Sequence, residues 1–175
     1  MKKFITAVFV LMLTGLSAIS AENNWDKITR GWSTMPIKVY LDNTGDKTKM
    51  IEAGFKTWEE KTSGKIRFKF VTKPHSGYAN IVITTTDNFN DEKAGITHAR
   101  FGVNNIYKSS IEIGLKNAVS REKFTDDLLE IIIIHEIGHA LGLNHSPDRK
   151  SVMYPYAILG QKIQQEDLDN LLKLY

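Results

Sequence analysis

The sequence predicts a single α+β domain with about five strands and three main helices, preceded by an export signal. Five short segments have the alternating or β-branched apolar residues of strands, and three longer segments have the spacing or caps of helices. About 155 residues follow the signal, which is enough for one domain with a sizeable core. We find no internal repeat, second domain or low-complexity linker.

The first 20 residues have the order of a secretory signal peptide. A basic start at residues 2–3 precedes the apolar run Phe4–Leu16, and small residues follow up to Ala21. The run is shorter than the roughly 20 residues that a bilayer span needs, so a retained anchor is the weaker alternative. We expect cleavage after Ser20, no stable membrane anchor thereafter, and a secreted or periplasmic protein. The predicted divisions are a signal peptide at 1–20, an arm or short pro-segment at 21–31, and the main domain at 32–175.

The charge is nearly balanced once the signal is removed. Loss of Lys2 and Lys3 reduces the 23 basic residues to 21, against 20 acidic residues. A nucleic-acid partner needs a concentrated basic patch, whereas the alternating Lys65, Arg67 and Lys69 are typical of a solvated sheet face. We therefore expect no nucleic-acid partner. The chain has no cysteine and so cannot form disulfides.

The first half of the domain is predicted to alternate between strands and one helix. Residues 36–41 alternate as a strand, and a turn at 42–46 follows. The turn has oxygen ligands that would suit calcium, but a plain turn is the simpler interpretation. Ile51, Phe55 and Trp58 lie on one face of a helix at 48–61. Two further strands are predicted at 66–70 and 81–84.

The second half has weaker strand signals and two further helices. We predict a fourth strand over Gly95–Phe101, a loop over 102–109 and a fifth strand at 111–113. A last helix is predicted over 164–174, with Leu168, Leu171 and Leu172 on its inner face.

The segment from Thr125 to Leu141 is predicted to be a helix. Thr125 is a suitable N-cap, although the four isoleucines at 131–134 would equally suit a buried strand. If His135 and His139 bind one metal ion, the segment must be helical. Residues four apart share one helix face, whereas on a strand they would be about 13 Å apart.

His135, His139 and His145 are predicted to bind one catalytic zinc ion. Gly142 can end the helix in a left-handed conformation and let His145 return as the third ligand. Three protein ligands leave a fourth position for water, as in catalytic zinc sites. Glu136 lies near the metal but off the ligand face, which suits a general base. The alternative is a helix whose histidines are ordinary core residues.

The segment His135–His145 resembles the signature of the metzincin zinc peptidases, H-E-x-x-H-x-x-G-x-x-H followed by a Met-turn. Ser151–Pro155 is similar to that turn, and Ser146 with Met-Tyr-Pro is most similar to the matrixin, or matrix-metalloproteinase-like, branch. The resemblance touches most of residues 32–175, and its specific part is 135–155. It implies an α/β sandwich-like, metzincin-type zincin fold with a mixed, twisted sheet and an active-site helix followed by the Met-turn.

The resemblance also implies roles for the residues of the turn. Met153 would form an apolar floor beneath the zinc, and Tyr154, Pro155 and Tyr156 would line a substrate pocket. Tyr156 is displaced by one position from the usual family tyrosine, so the pocket's shape does not transfer. One catalytic zinc is expected, while calcium lacks support. The remaining histidines, His75 and His98, do not suggest a second zinc site.

These observations predict a secreted zinc-dependent endopeptidase in which zinc activates a water and Glu136 takes its proton. The substrate would be a protein or peptide, extended along the strand at 95–101. A protein inhibitor is a further candidate partner. Asp26 could act as a short carboxylate plug, but a solvated arm at 21–31 is the simpler interpretation. The alternatives are a non-catalytic zinc module, a latent protease that needs a partner, and a zinc hydrolase acting on a non-peptide bond.

Overall fold

The computed structural model describes residues 30–72, 78–87 and 93–175, together with the backbone of a two-residue strand at Ser17–Ala18. Apart from that strand, the predicted signal peptide lies outside the described residues, and so do Asp26 and His75. No helix within the described residues is long and apolar enough to cross a membrane. The strands are β1 (Ser17–Ala18), β2 (Ile37–Leu41), β3 (Phe68–Val71), β4 (Ile81–Thr86), β5 (Gly95–Phe101), β6 (Ile106–Gly114) and β7 (Tyr156–Ala157). The helices are α1 (Thr48–Lys61), α2 (Asp126–Ala140) and α3 (Gln165–Leu172).

A mixed five-stranded sheet with the order β3-β2-β4-β6-β5 forms the centre of the fold. Strands β2, β3, β4 and β6 run parallel, and β5 pairs antiparallel with β6 at one edge. The five predicted strands and three predicted helices are confirmed. The backbone of β1 pairs separately with β7. The antiparallel position of β5 matters for the site, because its inner face packs against α2.

Helices α1 and α2 pack closely against each other. Ile51, Phe55 and Trp58 are fully buried, as the helical spacing predicted. The indole N–H of Trp58 donates to the carbonyl of Ile134 at 2.9 Å, which ties α1 to α2. Gly54 lies at the point of closest approach, where a Cβ atom would be 2.8 Å from a methyl group of Ile133. The glycine inside α1 therefore serves helix packing.

Helix α2 is buried on nearly all sides. Thr125 caps it by accepting a hydrogen bond from the backbone N–H of Leu128 at 3.4 Å. Ile131, Ile132 and Ile133 are all buried, because the helix lies between the sheet and α1. A helix surrounded by protein has no polar face and hence no amphipathic period. This burial explains why the isoleucine run looked as much like a strand as a helix.

The prediction of a loop over 102–109 is wrong in its second half. Strand β6 begins at Ile106 and continues to Gly114, well before the predicted start at Ile111. The polar pair Ser109 and Ser110 concealed this part of the strand. Both serines pair with β4, and the hydroxyl of Ser109 donates to the carbonyl of His98 at 3.1 Å. A register shift between Arg100 and Phe101 accommodates the hairpin.

Candidate metal centre

Helix α2 presents the first two histidines on one face, as their spacing predicted. His135 and His139 are both fully buried, and their ring centroids lie 4.5 Å apart. The helix stops immediately afterwards, since Leu143 donates its backbone N–H to the carbonyl of Gly138 at 3.0 Å. The two histidines, one turn apart, are thereby fixed at the C-terminal end of α2, where a third ligand can approach.

His145 returns to the first two histidines through a turn at Gly142. Gly142 has φ = +106°, a conformation that L-residues with side chains rarely adopt. A Cβ atom there would also overlap the carbonyl oxygen of Arg30. The candidate ligand atoms of His135, His139 and His145 all lie within 4.8 Å of one another. Within the described residues, this trio is the group of histidine and carboxylate side chains arranged to hold a metal ion.

Hydrogen bonds fix the tautomers of the two buried rings. Nδ1 of His135 lies 2.7 Å from the carbonyl oxygen of Val152, and Nδ1 of His139 lies 2.8 Å from that of Leu143. A carbonyl oxygen only accepts, so each Nδ1 carries the proton and each Nε2 keeps its lone pair. Nε2 of His135 has no hydrogen-bond partner among the described atoms. A buried imidazole nitrogen in this state fits a zinc ion, which binds neutral histidine.

The electrostatics of the site also favour neutral imidazoles. Burial, followed by repulsion from His139 and His145, holds the pKa of His135 well below its ordinary value. Burial and the proximity of His145 lower the pKa of His139 to about 3. Both rings are therefore uncharged at neutral pH, and a cation can bind without first displacing protons.

Glu136 is buried beside the histidines, with its two carboxylate oxygens in different environments. Oε2 accepts a hydrogen bond from the hydroxyl of Thr97 at 2.5 Å, whereas Oε1 has no partner among the described atoms. Burial raises the pKa of Glu136 to about 8, against the opposing effect of the Thr97 hydrogen bond. An uncompensated buried carboxylate is costly unless a cation or a proton accompanies it. Glu136 thus suits a position beside a metal ion.

Thr97 was not singled out from the sequence, and neither was Gly95. Both lie on the inner face of β5, and a Cβ atom on Gly95 would be 2.7 Å from Oε1 of Glu136. Their spacing of two residues on a predicted strand was the available signal, because alternate residues share a face. His98 and Arg100 lie on the opposite face of the strand, and both are exposed.

Met153 is buried and lies against Gly138 of α2, the residue before His139. Its sulfur fills the space that a side chain on Gly138 would need, so the turn packs directly against α2. The carbonyl of Met153 accepts from the backbone N–H of Ser146 at 2.8 Å, which ties the turn to the segment after His145. The turn thus contacts both the helix and the loop that present the histidines.

The three residues proposed to line a pocket follow Met153 directly. Tyr154 and Pro155 are half-buried, and Tyr156 is 45% exposed. The rings of Tyr154 and Tyr156 lie 5.9 Å apart. Tyr156 is therefore not a core residue.

The comparison with known families agrees with this geometry. The matrixin family model matches residues 24–175, which is most of the chain. Membership of that family and the three-histidine cluster together support zinc binding.

Individual relatives match over a shorter stretch. The chain is 44% identical over 50 residues to metalloendoproteinase 1 of Glycine max, covering 27% of this chain and 16% of that protein. It is 44% identical over 45 residues to matrilysin of Homo sapiens, covering 23% and 17%. It is 39% identical over 56 residues to interstitial collagenase of Sus scrofa, covering 31% and 12%. The alignments thus span less than a fifth of each of these relatives. The match of the family model over residues 24–175, together with the metal centre, shows that the chain belongs to the matrixin family.

Proposed function

We propose that this chain is a zinc-dependent endopeptidase, with His135, His139 and His145 as the zinc ligands and Glu136 as the general base. The observation that carries the proposal is the trio of histidines, whose two buried members have fixed tautomers, beside a buried carboxylate with one oxygen unengaged. Family membership supports the same activity. Relatives of this kind are named metalloendoproteinases, matrilysin and collagenase.

The protein side chains divide the work of hydrolysis. A zinc ion bound to the histidines would supply Lewis acidity, both to the attacking water and to the scissile carbonyl. Oε1 of Glu136 accepts the proton of the attacking water and then delivers it to the leaving amine. Burial raises the pKa of Glu136 because the site excludes water. The negative charge of its carboxylate is compensated there either by a proton or by a nearby cation.

The substrate is expected to lie in an extended conformation along β5. This strand is the last in the sheet order, so one of its edges has no partner strand in the described part of the chain. An extended peptide can add to such an edge through backbone hydrogen bonds. Glu136 contacts the inner face of the same strand, and this proximity supports placing the scissile bond there.

Met153, Tyr154, Pro155 and Tyr156 are proposed to support and shape the site. Burial of Met153 against Gly138 supports its role as an apolar floor beneath the metal. The exposure of Tyr156 supports contact with substrate in preference to a purely structural role.

The proposal also covers the location of the enzyme and its partners. The signal-like sequence at 1–20 supports export, hence a secreted or periplasmic enzyme with 21–31 as an arm or short pro-segment. Its substrates would be proteins or peptides, and a protein inhibitor would be a natural regulator. One catalytic zinc ion is proposed.

The main competing function is a binding module that keeps zinc only for stability. A structural zinc site needs no buried carboxylate beside its ligands, and burying one costs free energy. The fully buried Glu136 therefore favours the catalytic function.

The test is cleavage of casein by the purified protein, with and without a zinc chelator, beside the Glu136→Gln variant. We expect zinc-dependent cleavage by the wild type and none by Glu136→Gln, although both bind one equivalent of zinc. A folded, zinc-loaded wild type that cleaves no peptide bond in casein or in a peptide library would refute the proposal.

A further inference from the structure

We propose that Thr97 is a positioning residue for Glu136, because its hydroxyl holds one carboxylate oxygen and leaves the other to act as the base. This inference rests on the proposed function, since it assigns the means by which the general base is oriented. Thr97 lies on β5, outside the histidine motif and far from it in sequence.

The contact between the two residues is short and fully enclosed. Thr97 Oγ1 lies 2.5 Å from Oε2 of Glu136 and 3.0 Å from the backbone oxygen of the same residue. Both side chains have no exposed surface. Distances of 2.5–2.7 Å are typical of a hydroxyl that donates to a carboxylate. The bond therefore joins the edge strand to both the main chain and the side chain of the general base.

Gly95 completes the receptor for this carboxylate. It shares the inner face of β5 with Thr97, since alternate residues of a strand point the same way. A Cβ atom on Gly95 would be 2.7 Å from both Cγ and Oε1 of Glu136. Gly95 thus provides space for the carboxylate of Glu136, and Thr97 provides its hydrogen-bond donor.

The arrangement distinguishes the two carboxylate oxygens. Oε2 is engaged by Thr97, while Oε1 has no partner among the described atoms. A threonine suits this task because branching at Cβ restricts its χ1 angle. Without the hydroxyl, Oε2 would lose the hydrogen bond that distinguishes it from Oε1.

The test compares Thr97→Val, which keeps the shape and removes the donor, with Thr97→Ser, which keeps the donor. Thr62→Val is the matched control, since Thr62 is also a buried threonine whose hydroxyl donates, at 2.9 Å, to the carbonyl of Trp58. For each variant, kcat and KM on a fluorogenic peptide, zinc content and the melting temperature are measured. Crystal structures of the zinc-loaded wild type and Thr97→Val give the conformation of Glu136.

For Thr97→Val we expect kcat to fall about ten- to a hundredfold, with KM and zinc content unchanged, as for residues that orient groups in a metal site. Glu136 should adopt a different side-chain conformation in the crystal. Thr97→Ser should recover most of kcat, and Thr62→Val should retain kcat even if it melts at a lower temperature.

Two results would overturn the inference. One is a Thr97→Val variant with kcat within twofold of the wild type, or with its loss of activity explained by loss of zinc. The other is a Glu136 side chain in the same conformation with and without the hydroxyl. A wild type that cleaves nothing would refute the proposed function, and the crystal structures would still decide the role of Thr97.

Discussion

The hydroxyl of Ser151 lies 2.8 Å from both carboxylate oxygens of Asp167 and accepts a hydrogen bond from the backbone N–H of Met153 at 2.8 Å. Both side chains are buried. Asp167 also accepts from the backbone N–H of Gln164 at 2.8 Å and so caps α3. One hydroxyl therefore connects the turn that contains Met153 to the final helix of the domain.

Removing this hydroxyl should destabilise the protein. Ser151→Ala leaves the N–H of Met153 without its acceptor and takes one donor from the buried Asp167. We expect the free energy of unfolding to fall by about 1–3 kcal/mol, measured by urea denaturation of the zinc-loaded protein. Ser120→Ala is the control, because that exposed serine accepts a local hydrogen bond from the backbone N–H of Glu122, at 3.3 Å. Equal stability of the Ser151→Ala variant and the wild type would contradict the assigned link.

The metal-free protein should respond to pH through Glu136. Burial raises the pKa of this carboxyl from 4.5 to about 8 in the folded state. A carboxyl of this kind stabilises the fold below its unfolded pKa, and that contribution is lost as the pH rises towards the folded pKa. Each unit of the difference corresponds to about 1.4 kcal/mol. The wild type should therefore lose stability relative to Glu136→Gln between pH 4.5 and 8.

Denaturation of both proteins in the presence of a chelator, at pH 5 and at pH 8, measures this difference. The ionisation of His135 and His139 is common to both proteins and cancels in the comparison to first order. Glu60→Gln is the control, because the exposed Glu60 pairs with Lys56 on the surface, at 3.6 Å. A stability difference that stays constant over this range would show that Glu136 is not held in a dry site.

Gly142 should be required for the third zinc ligand. Its φ of +106° disfavours any side chain, and a Cβ atom would overlap the carbonyl oxygen of Arg30. Gly142→Ala should displace the segment that leads to His145 and weaken zinc binding at least tenfold, while α2 remains folded. Competition with a chelator of known affinity measures the change. Gly160→Ala also places alanine at positive φ, but in open space away from the histidines, and should leave zinc affinity unchanged. Unchanged zinc affinity in Gly142→Ala would contradict this account of the turn.

The sequence was most informative where chemistry restricts the backbone. The spacing of His135 and His139 is compatible with shared metal binding only on a helix, so the motif resolved the ambiguity of the isoleucine run. Gly142 was predicted to adopt a left-handed conformation from its place between ligands, and it does so. In both cases a local pattern was sufficient because the interacting groups are close in sequence.

The sequence was least informative where contacts join distant segments. Thr97 contacts Glu136 across 39 positions, and Ser151 contacts Asp167 across 16. Such contacts leave no local pattern in the sequence. Threonine and serine occur at both buried and exposed positions, so the residue type alone does not reveal a distant partner. The start of β6 was missed for a related reason, since Ser109 and Ser110 are polar residues within a paired strand.

The contact between Gly138 and Met153 should be sensitive to a single methyl group. A Cβ atom at Gly138 would overlap the sulfur of Met153 and lie 3.1 Å from the Trp58 ring, so neither side offers space. Gly138→Ala should lower the free energy of unfolding by about 1–3 kcal/mol through overpacking. It should also reduce zinc affinity, because Gly138 directly precedes His139. A shorter side chain at position 153 tests whether overpacking is the cause. The double variant Gly138→Ala, Met153→Val should be more stable than Gly138→Ala alone and should bind zinc more tightly. If the double variant instead shows the sum of the two separate losses, the two residues act independently, and the role of Met153 as a packed floor beneath the metal is wrong.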